Sequence, residues 1–176
     1  MQRVTGARDR VTLRGSHWPT QEQQQRRSPP PNQREEVPRQ QPGLPVSFAV
    51  EHLQTGRVIG AFEVRIVDPV RRVGEIGYSL ARAYWGQGYN LEAGRLLLEY
   101  GFGDLRLLRI QALCDVANRR SYRTMEKLGM VRERVLSRSR LRKDGYVDCY
   151  LYGILWREWA RRHALQDGFG KPQDGG

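Results

Sequence analysis

Two glycines, Gly86 and Gly88, stand where a strand-like run ends and an apolar, helix-forming segment begins. In the run before them, Ile76, Tyr78 and Leu80 alternate with small or polar residues, the period-2 pattern of a half-buried strand. A glycine-rich strand-to-helix turn exposes backbone N–H groups at the positive end of a helix, where phosphate oxygens bind without any cationic side chain. Taken alone, the pair describes an ordinary tight turn at least as well. A dinucleotide-binding fingerprint needs a third glycine that the chain does not place after Tyr89 and Asn90, and no Walker loop is present.

The elements that hold this turn follow from the hydropathy pattern. Residues 46–52 and 58–66 alternate apolar with polar residues across a Gly-containing turn, a hairpin signature. A second turn at Asp68 and Pro69 leads into the run before the glycines. After Gly88, the residues Leu91, Leu97, Leu98 and Phe102 share a helix face despite weakening glycines at Gly94 and Gly101. Leu108, Ile110, Ala112 and Cys114 alternate as the next strand, and Asn118 caps a short helix over 119–128 that Gly129 stops. Residues 131–142 carry Arg132, Arg134, Arg138, Arg140 and Arg142 at even positions, which on a regular strand puts all five on one face. The turn 143–145 joins them to a strongly β-prone run at 146–156, making a C-terminal hairpin, and a short amphipathic helix follows. The order β-β-β-α-β-α-β-β describes a mixed α/β sheet.

The length of 176 residues fits one domain with a substantial core. The formal net charge of +11 implies attraction to polyanions: nucleic acid, ribosomes, acidic protein surfaces or a phosphate-rich cofactor. Residues 18–45 hold seven of the nine prolines, many glutamines and almost no large apolar side chains, a composition that cannot offset the entropy of ordering. The expected division is therefore a flexible segment at 1–45 with a short strand near 10–14, a folded domain at 46–163 and a flexible tail at 164–176. Cys114 and Cys149 lie in apolar alternating segments and read as buried free thiols, which suits a reducing cytoplasm. No apolar run approaches the roughly 18 residues of a membrane span, and the first residues lack the apolar core of a signal peptide. The expectation is a cytoplasmic protein without membrane contact. His17, His52 and His163 are scattered without ligand spacing, so no metal site is indicated.

Three stretches together carry a resemblance: EIGYSLARAYWGQGYNLEAGRLLLEYGF from Glu75, ANRRSYRTMEKLGM from Ala117 and KDGYVDCYLYGIL from Lys143. In that order and over residues 48–159 they resemble the GNAT superfamily of N-acetyltransferases, in its branch of ribosomal-protein N-terminal (RimJ/RimL-like) acetyltransferases. The resemblance implies a single GNAT-like domain, with a mostly antiparallel sheet whose two central parallel strands splay, flanked by helices. It also implies acetyl-CoA as cosubstrate, with pantetheine between the splayed strands and pyrophosphate on the glycine turn. The cofactor-binding residues so implied are Tyr78 and Leu80 on the strand, Trp85, Gly86, Gln87, Gly88, Tyr89 and Asn90 in the turn, and Asn118 and Ser121 at the short helix. Gly88 matches the family pattern. Trp85 replaces a Gln or Arg, Leu91 replaces a Thr, and Asn90 stands where a small residue lets the backbone close on the pyrophosphate.

Amine acetylation needs a neutral amine to attack a thioester and a thiolate to leave. Deprotonation near pH 7 costs about 1.4 kcal/mol for an α-amine of pKa about 8, against about 4.6 kcal/mol for a lysine. The resemblance implies Glu75 as the base, drawing the proton through water; the other reading is a surface carboxylate paired with an arginine. Met125 fills the slot of the family's tyrosine, and Ser121, in the pattern Asn-x-x-Ser, is implied as the hydrogen-bond donor to the thiolate. A helix hydroxyl bonding locally is its alternative. Tyr146 and Asp148 on the last hairpin are candidates for the amine side of the cleft. The arginine row reads as a solvated face, or as a contact for an acidic ribosomal or nucleic-acid surface or for the 3′-phosphate.

Family members place one or two helices between the first strand and the hairpin, where they wall the substrate cleft. A proline/glutamine segment holds that place here, which implies an acceptor side that is open, incomplete or completed by a partner subunit, in a monomer or a homodimer. The expected function is transfer of acetyl from acetyl-CoA to a primary amine, first a protein N-terminal α-amine, by direct attack. Two alternatives stay open: a polyamine or aminoglycoside acetyltransferase, and a weakly active or inactive domain that binds RNA, ribosome or protein through its basic face.

Overall fold

Alternation along the strands sorts their side chains onto two unlike faces of one sheet. The computed structural model describes residues 3–4, 10–15 and 45–167; most of the segment at 1–45 that was expected to be flexible, and residues 168–176 of the tail, lie outside the described residues. Eight strands, β1 Arg3–Val4, β2 Val11–Gly15, β3 Val46–His52, β4 Arg57–Asp68, β5 Val73–Leu80, β6 Arg109–Asp115, β7 Val131–Arg142 and β8 Gly145–Leu155, are joined by helices α1 Tyr89–Gly103, α2 Arg119–Lys127 and α3 Trp156–Asp167. The strand order is β1-β2-β3-β4-β5-β6-β8-β7. The neighbours β5 and β6 run parallel, so α1 is the crossover that brings the chain back beside β5. No described helix is long and apolar enough to cross a membrane.

One face is apolar: Phe48, Val50, Phe62, Val64, Ile76, Ile110, Ala112, Tyr152 and Ile154 are buried there against α1 residues such as Leu97 and Tyr100. The alternating residues Ala61, Glu63 and Arg65 on β4 are exposed, and Glu75 and Gly77 on β5 are only half-buried. Among the described residues, that second face is polar and open. The sheet also takes in Val11 and Leu13, both 0% exposed, whose strand pairs with β3 from Val11↔His52 to Gly15↔Phe48. The short strand expected near 10–14 is thus β2 of this sheet, which begins ahead of the expected 46–163 span, and α3 runs to Asp167.

The arginine row does not survive on one face. Register shifts between Arg132 and Arg134 and between Leu136 and Arg140 insert extra residues into β7, and Arg138 takes a left-handed φ of 49°. The first shift adds one residue and turns the side chains after it to the opposite face, whereas the second adds two, from Leu136↔Cys149 to Arg140↔Val147, and keeps that face. Arg132 therefore pairs with Tyr152 on the apolar side and stacks 4.7 Å over Tyr150, while Arg140 and Arg142 turn to the open side and pair with Asp115.

The two helix glycines mark close approach. A Cβ at Gly94 would lie 2.8 Å from Leu128 Cδ1, and one at Gly101 would lie 2.6 Å from Ile110 Cδ1. Alanine is about 1 kcal/mol better than glycine in a helix, but forcing a methyl into a packed core costs about 1–3 kcal/mol. Gly101→Ala is expected to lower stability in urea melts, and a stabilised variant would show that α1 does not sit this close to β6.

Candidate active site

The parallel pair comes apart partway along. Its partners run from Val73↔Arg109 only to Ile76↔Ala112, although β5 continues to Leu80 and β6 to Asp115. Each strand keeps its outer neighbour over the diverging part, β4 against β5 up to Gly60↔Leu80 and β8 against β6 up to Asp115↔Cys149. Between the two ribbons lies a cavity of about 360 Å³. Tyr78, Cys114, Ser121 and Met125 line it from the helix side, and Glu63, Arg65, Glu75, Asp115, Arg140 and Arg142 from the open side. The gap thus connects the two faces of the sheet.

Four of the expected site residues meet in this cavity: Glu75, Tyr78, Asn118 and Ser121. Both carboxylate oxygens of Glu75 are held, one by Arg65 Nη2 at 2.8 Å and the other by Gln111 Nε2 at 3.0 Å. Each oxygen keeps a further lone pair for a water or an amine. Asn118 caps α2, its Oδ1 accepting from the Ser121 N–H at 3.2 Å. The Ser121 hydroxyl lies 3.0 Å from the Tyr78 hydroxyl, which is also 3.0 Å from the Ser121 carbonyl. Burial pushes the Tyr78 phenol up to about 12, so it stays a neutral donor at physiological pH.

The glycine turn lies at the far end of β5. Gly86 and Gly88 adopt φ of 78° and 88°, a region side-chain-bearing residues avoid, and Gly88 is the N-cap of α1. Among the described residues, the N–H groups of Gly86, Gln87 and Gly88 donate to no protein acceptor, and they stand at the positive end of a 15-residue helix. Trp85 Nε1 donates to the Leu80 carbonyl at 2.7 Å, and Gln87 Nε2 to the Ala83 carbonyl at 3.0 Å. Tyr89 is buried with its hydroxyl 3.0 Å from His52 Nε2. Asn90 turns away from the turn toward α2, its Nδ2 donating to Thr124 Oγ1 at 3.3 Å.

Tyr146 and Asp148 do not join the cavity lining. Tyr146 is 66% exposed, and the Asp148 carboxylate accepts the Arg138 N–H at 2.8 Å, holding the bulge of β7. In the other direction, the structure adds residues that spacing did not flag. Arg10 donates through Nη2 to the Gln87 carbonyl at 2.9 Å and lies 4.6 Å over the Tyr89 ring. The Glu92 carboxylate accepts from the backbone N–H groups of Arg10 and Val11 and from Arg10 Nε. Arg120 lies 4.9 Å over the Trp85 ring. Cys114 lines the cavity, but burial pushes its thiol up to about 11. Among the described residues, no His, Cys, Asp or Glu group is arranged to hold a metal.

Residues 6–131 match the family model for the acetyltransferase (GNAT) domain. The chain belongs to this family. The GNAT chain is 34% identical over 113 residues to an uncharacterized N-acetyltransferase, p20, of Bacillus licheniformis, covering 64% of each chain. It is 28% identical over 98 residues to the ribosomal-protein-serine acetyltransferase of Escherichia coli, covering 56% of this chain and 55% of that one. Among solved structures it is similar to E33Q and E41Q mutant forms of the spermidine/spermine N-acetyltransferase SpeG from Vibrio cholerae, with a TM-score of 0.63 and 25% identity over 68% of this chain and 69% of that one. The GNAT chain spans just under two thirds of the first of these curated relatives and 55% of the second. The parted strands and glycine turn agree with the fold that the family resemblance implied.

Two side chains at this site lend themselves to direct tests. Asn90 Oδ1 is buried without a partner among the described residues, an arrangement that costs about 1–3 kcal/mol. Asn90→Ala, with the better helix former, is expected to raise stability by about 0.5–1 kcal/mol in urea melts; a clear loss would mean the amide is better satisfied than this. The second concerns Tyr78, whose pKa rises from 10.0 to about 12. The folded chain keeps a proton that the unfolded chain starts to release near pH 10, so this group's contribution is complete below about pH 10 and drains away toward pH 12. Tyr78→Phe removes that part of the alkaline slope, measurable by comparing melts at about pH 9 and about pH 11.

Proposed function

We propose that this GNAT domain transfers acetyl from acetyl-CoA to a primary amine, foremost the α-amine of a protein N-terminus. The observation that carries the reading is the gap through the sheet, which gives a thioester approaching from the helix side and an amine approaching from the open side a common meeting point. Gly86, Gln87 and Gly88 would hold the pyrophosphate through their unused N–H groups. Trp85, Tyr89, Asn90 and Leu80 would shape that end, and Tyr78, Asn118 and Ser121 would line the pantetheine and thioester end. Bound there, acetyl-CoA supplies an activated acetyl thioester.

The chain's own residues then have separate tasks. Glu75, fixed by Arg65 and Gln111, takes the amine's proton through a water in the cavity. An α-amine asks little of it, because deprotonation near pH 7 costs only about 1.4 kcal/mol. Ser121 donates to the departing thiolate; its proton is free for that task once the single Tyr78 O–H turns from the Ser121 carbonyl to Ser121 Oγ, both 3.0 Å away. Attack is direct. A covalent acetyl-cysteine route through Cys114 is disfavoured, because a thiol held near 11 supplies almost no thiolate at neutral pH.

The likeness to the spermidine/spermine N-acetyltransferase supports a second reading, a polyamine or other small amine as acceptor. The relative named as a ribosomal-protein-serine acetyltransferase supports the protein N-terminus, and the net charge of +11 suits contact with a ribosome or another polyanion. We place the protein in the cytoplasm, on the strength of two buried free cysteines.

Acetyl-CoA at a hundredfold excess over its Kd is expected to add about 2.7 kcal/mol of stability, seen as a raised melting temperature. No rise would overturn the reading. Glu75→Gln is expected to keep that rise while slowing acetyl transfer by about 10²-fold or more. Unchanged turnover would remove Glu75 as the base.

A further inference from the structure

The two walls of the cavity's open side carry opposite charge. On the β4–β5 wall stand Glu63, Arg65 and Glu75. Arg65 is committed to Glu75 at 2.8 Å, whereas Glu63 has no ion pair or hydrogen bond among the described residues. Its carboxylate lies at the gap: a Cβ on Gly77 would come within 2.9 Å of Glu63 Oε1. The β6–β7 wall is the reverse. Asp115 is shared between Arg142, which donates from Nε at 3.0 Å and Nη2 at 2.8 Å, and Arg140, at 3.6 Å. One carboxylate does not neutralise two guanidinium groups. The arginine side chains are 38% and 50% exposed and keep unused N–H donors among the described residues.

A site that is anionic on one side and cationic on the other selects for charge pattern. We propose that the acceptor is an amine with a carboxylate close by, its ammonium resting against Glu63 and Glu75 before transfer and its carboxylate against Arg140 and Arg142. A peptide N-terminus followed by Asp or Glu has this chemistry, and so does a free acidic amino acid. A polyamine does not, because its second ammonium would be driven against the two arginines. The proposal rests on the acetyl-transfer reading of the same cavity and names its substrate class.

The test compares kcat/KM, with saturating acetyl-CoA, for two peptides that differ only in the second residue, Ser-Asp and Ser-Asn, together with spermidine and free glutamate. Wild type is expected to prefer an acid-bearing acceptor over Ser-Asn and spermidine by about tenfold or more, the size of one charge-assisted hydrogen bond. Whether Ser-Asp or glutamate is faster tells a peptide from a free amino acid. The Asp-to-Asn ratio should fall about tenfold in Arg142→Gln and recover in part in Arg142→Lys, with Arg140→Gln as a second variant should the first fail to fold. A merely structural arginine would depress both peptides together and leave the ratio unchanged, which would overturn the proposal. Equal wild-type rates on both peptides with glutamate no faster than either, a preference for spermidine, or acetyl-CoA binding with no acid-bearing acceptor used would also overturn it while leaving the cosubstrate reading intact. Failure to bind acetyl-CoA would instead remove that reading and this proposal with it.

Discussion

Two adjacent strands in the middle of a sheet that stop pairing leave backbone N–H and C=O groups facing each other across a gap, and everything at this site depends on that gap staying open. Unpaired backbone groups in a protein interior cost about 1–3 kcal/mol each, so a gap of this kind closes or frays unless its sides are held elsewhere. Here each side is half of a complete antiparallel ribbon. The β4 strand follows β5 to Leu80, and β8 follows β6 to Asp115. The ribbons meet only at the base, between Val73↔Arg109 and Ile76↔Ala112, where α1 presses on them so closely that Gly101 leaves no room for a methyl. Divergence then follows from geometry.

The parting also explains how residues of opposite strand parity share one cavity. Glu75 and Tyr78 are three apart on β5 and face opposite sides of the sheet, as do Cys114 and Asp115 on β6, yet all four reach the same space. In an unbroken sheet, side chains of opposite parity are separated by the backbone layer. Tyr78 uses this position to span the opening, stacking on Phe62 at a centroid distance of 5.3 Å while its hydroxyl reaches Ser121 on α2. It connects the β4–β5 ribbon to the helix that follows β6.

Much of this was legible in the chain. Period-2 alternation marked Ile110, Ala112 and Cys114 as inward-facing, although Leu108, expected with them, precedes β6 and is exposed; Asn118 announced the start of α2, and Gly86 and Gly88 gave away the turn by their need for positive φ. Other features left no periodic trace. Extra residues in a strand leave no mark in its spacing, so nothing in the even positions from Arg132 to Arg142 warned that the row would change face after Arg132 and bulge again at Arg138. The same break explains why Asp148 ends up serving the Arg138 backbone. Gly94 and Gly101 looked like weak points of a helix because propensity is local, whereas the room they make for Leu128 and Ile110 is a property of packing. Arg10 lies 82 residues from its partner Glu92, a separation no local pattern spans.

The pairing of Gly15 with Phe48 fixes both ends of the connection between β2 and β3 to neighbouring rungs of one ladder. The ends of that connection are therefore joined by the sheet whatever its length or composition, and each doubling of length adds only about 0.6 kcal/mol of closure entropy. The parted ribbons, the turn and α2 lie outside it. The β2–β3 pairing thereby does more than extend the sheet: it carries Arg10 to the Gln87 carbonyl and His52 to the Tyr89 hydroxyl, so the glycine turn is braced from the first strands as well as from its own helix.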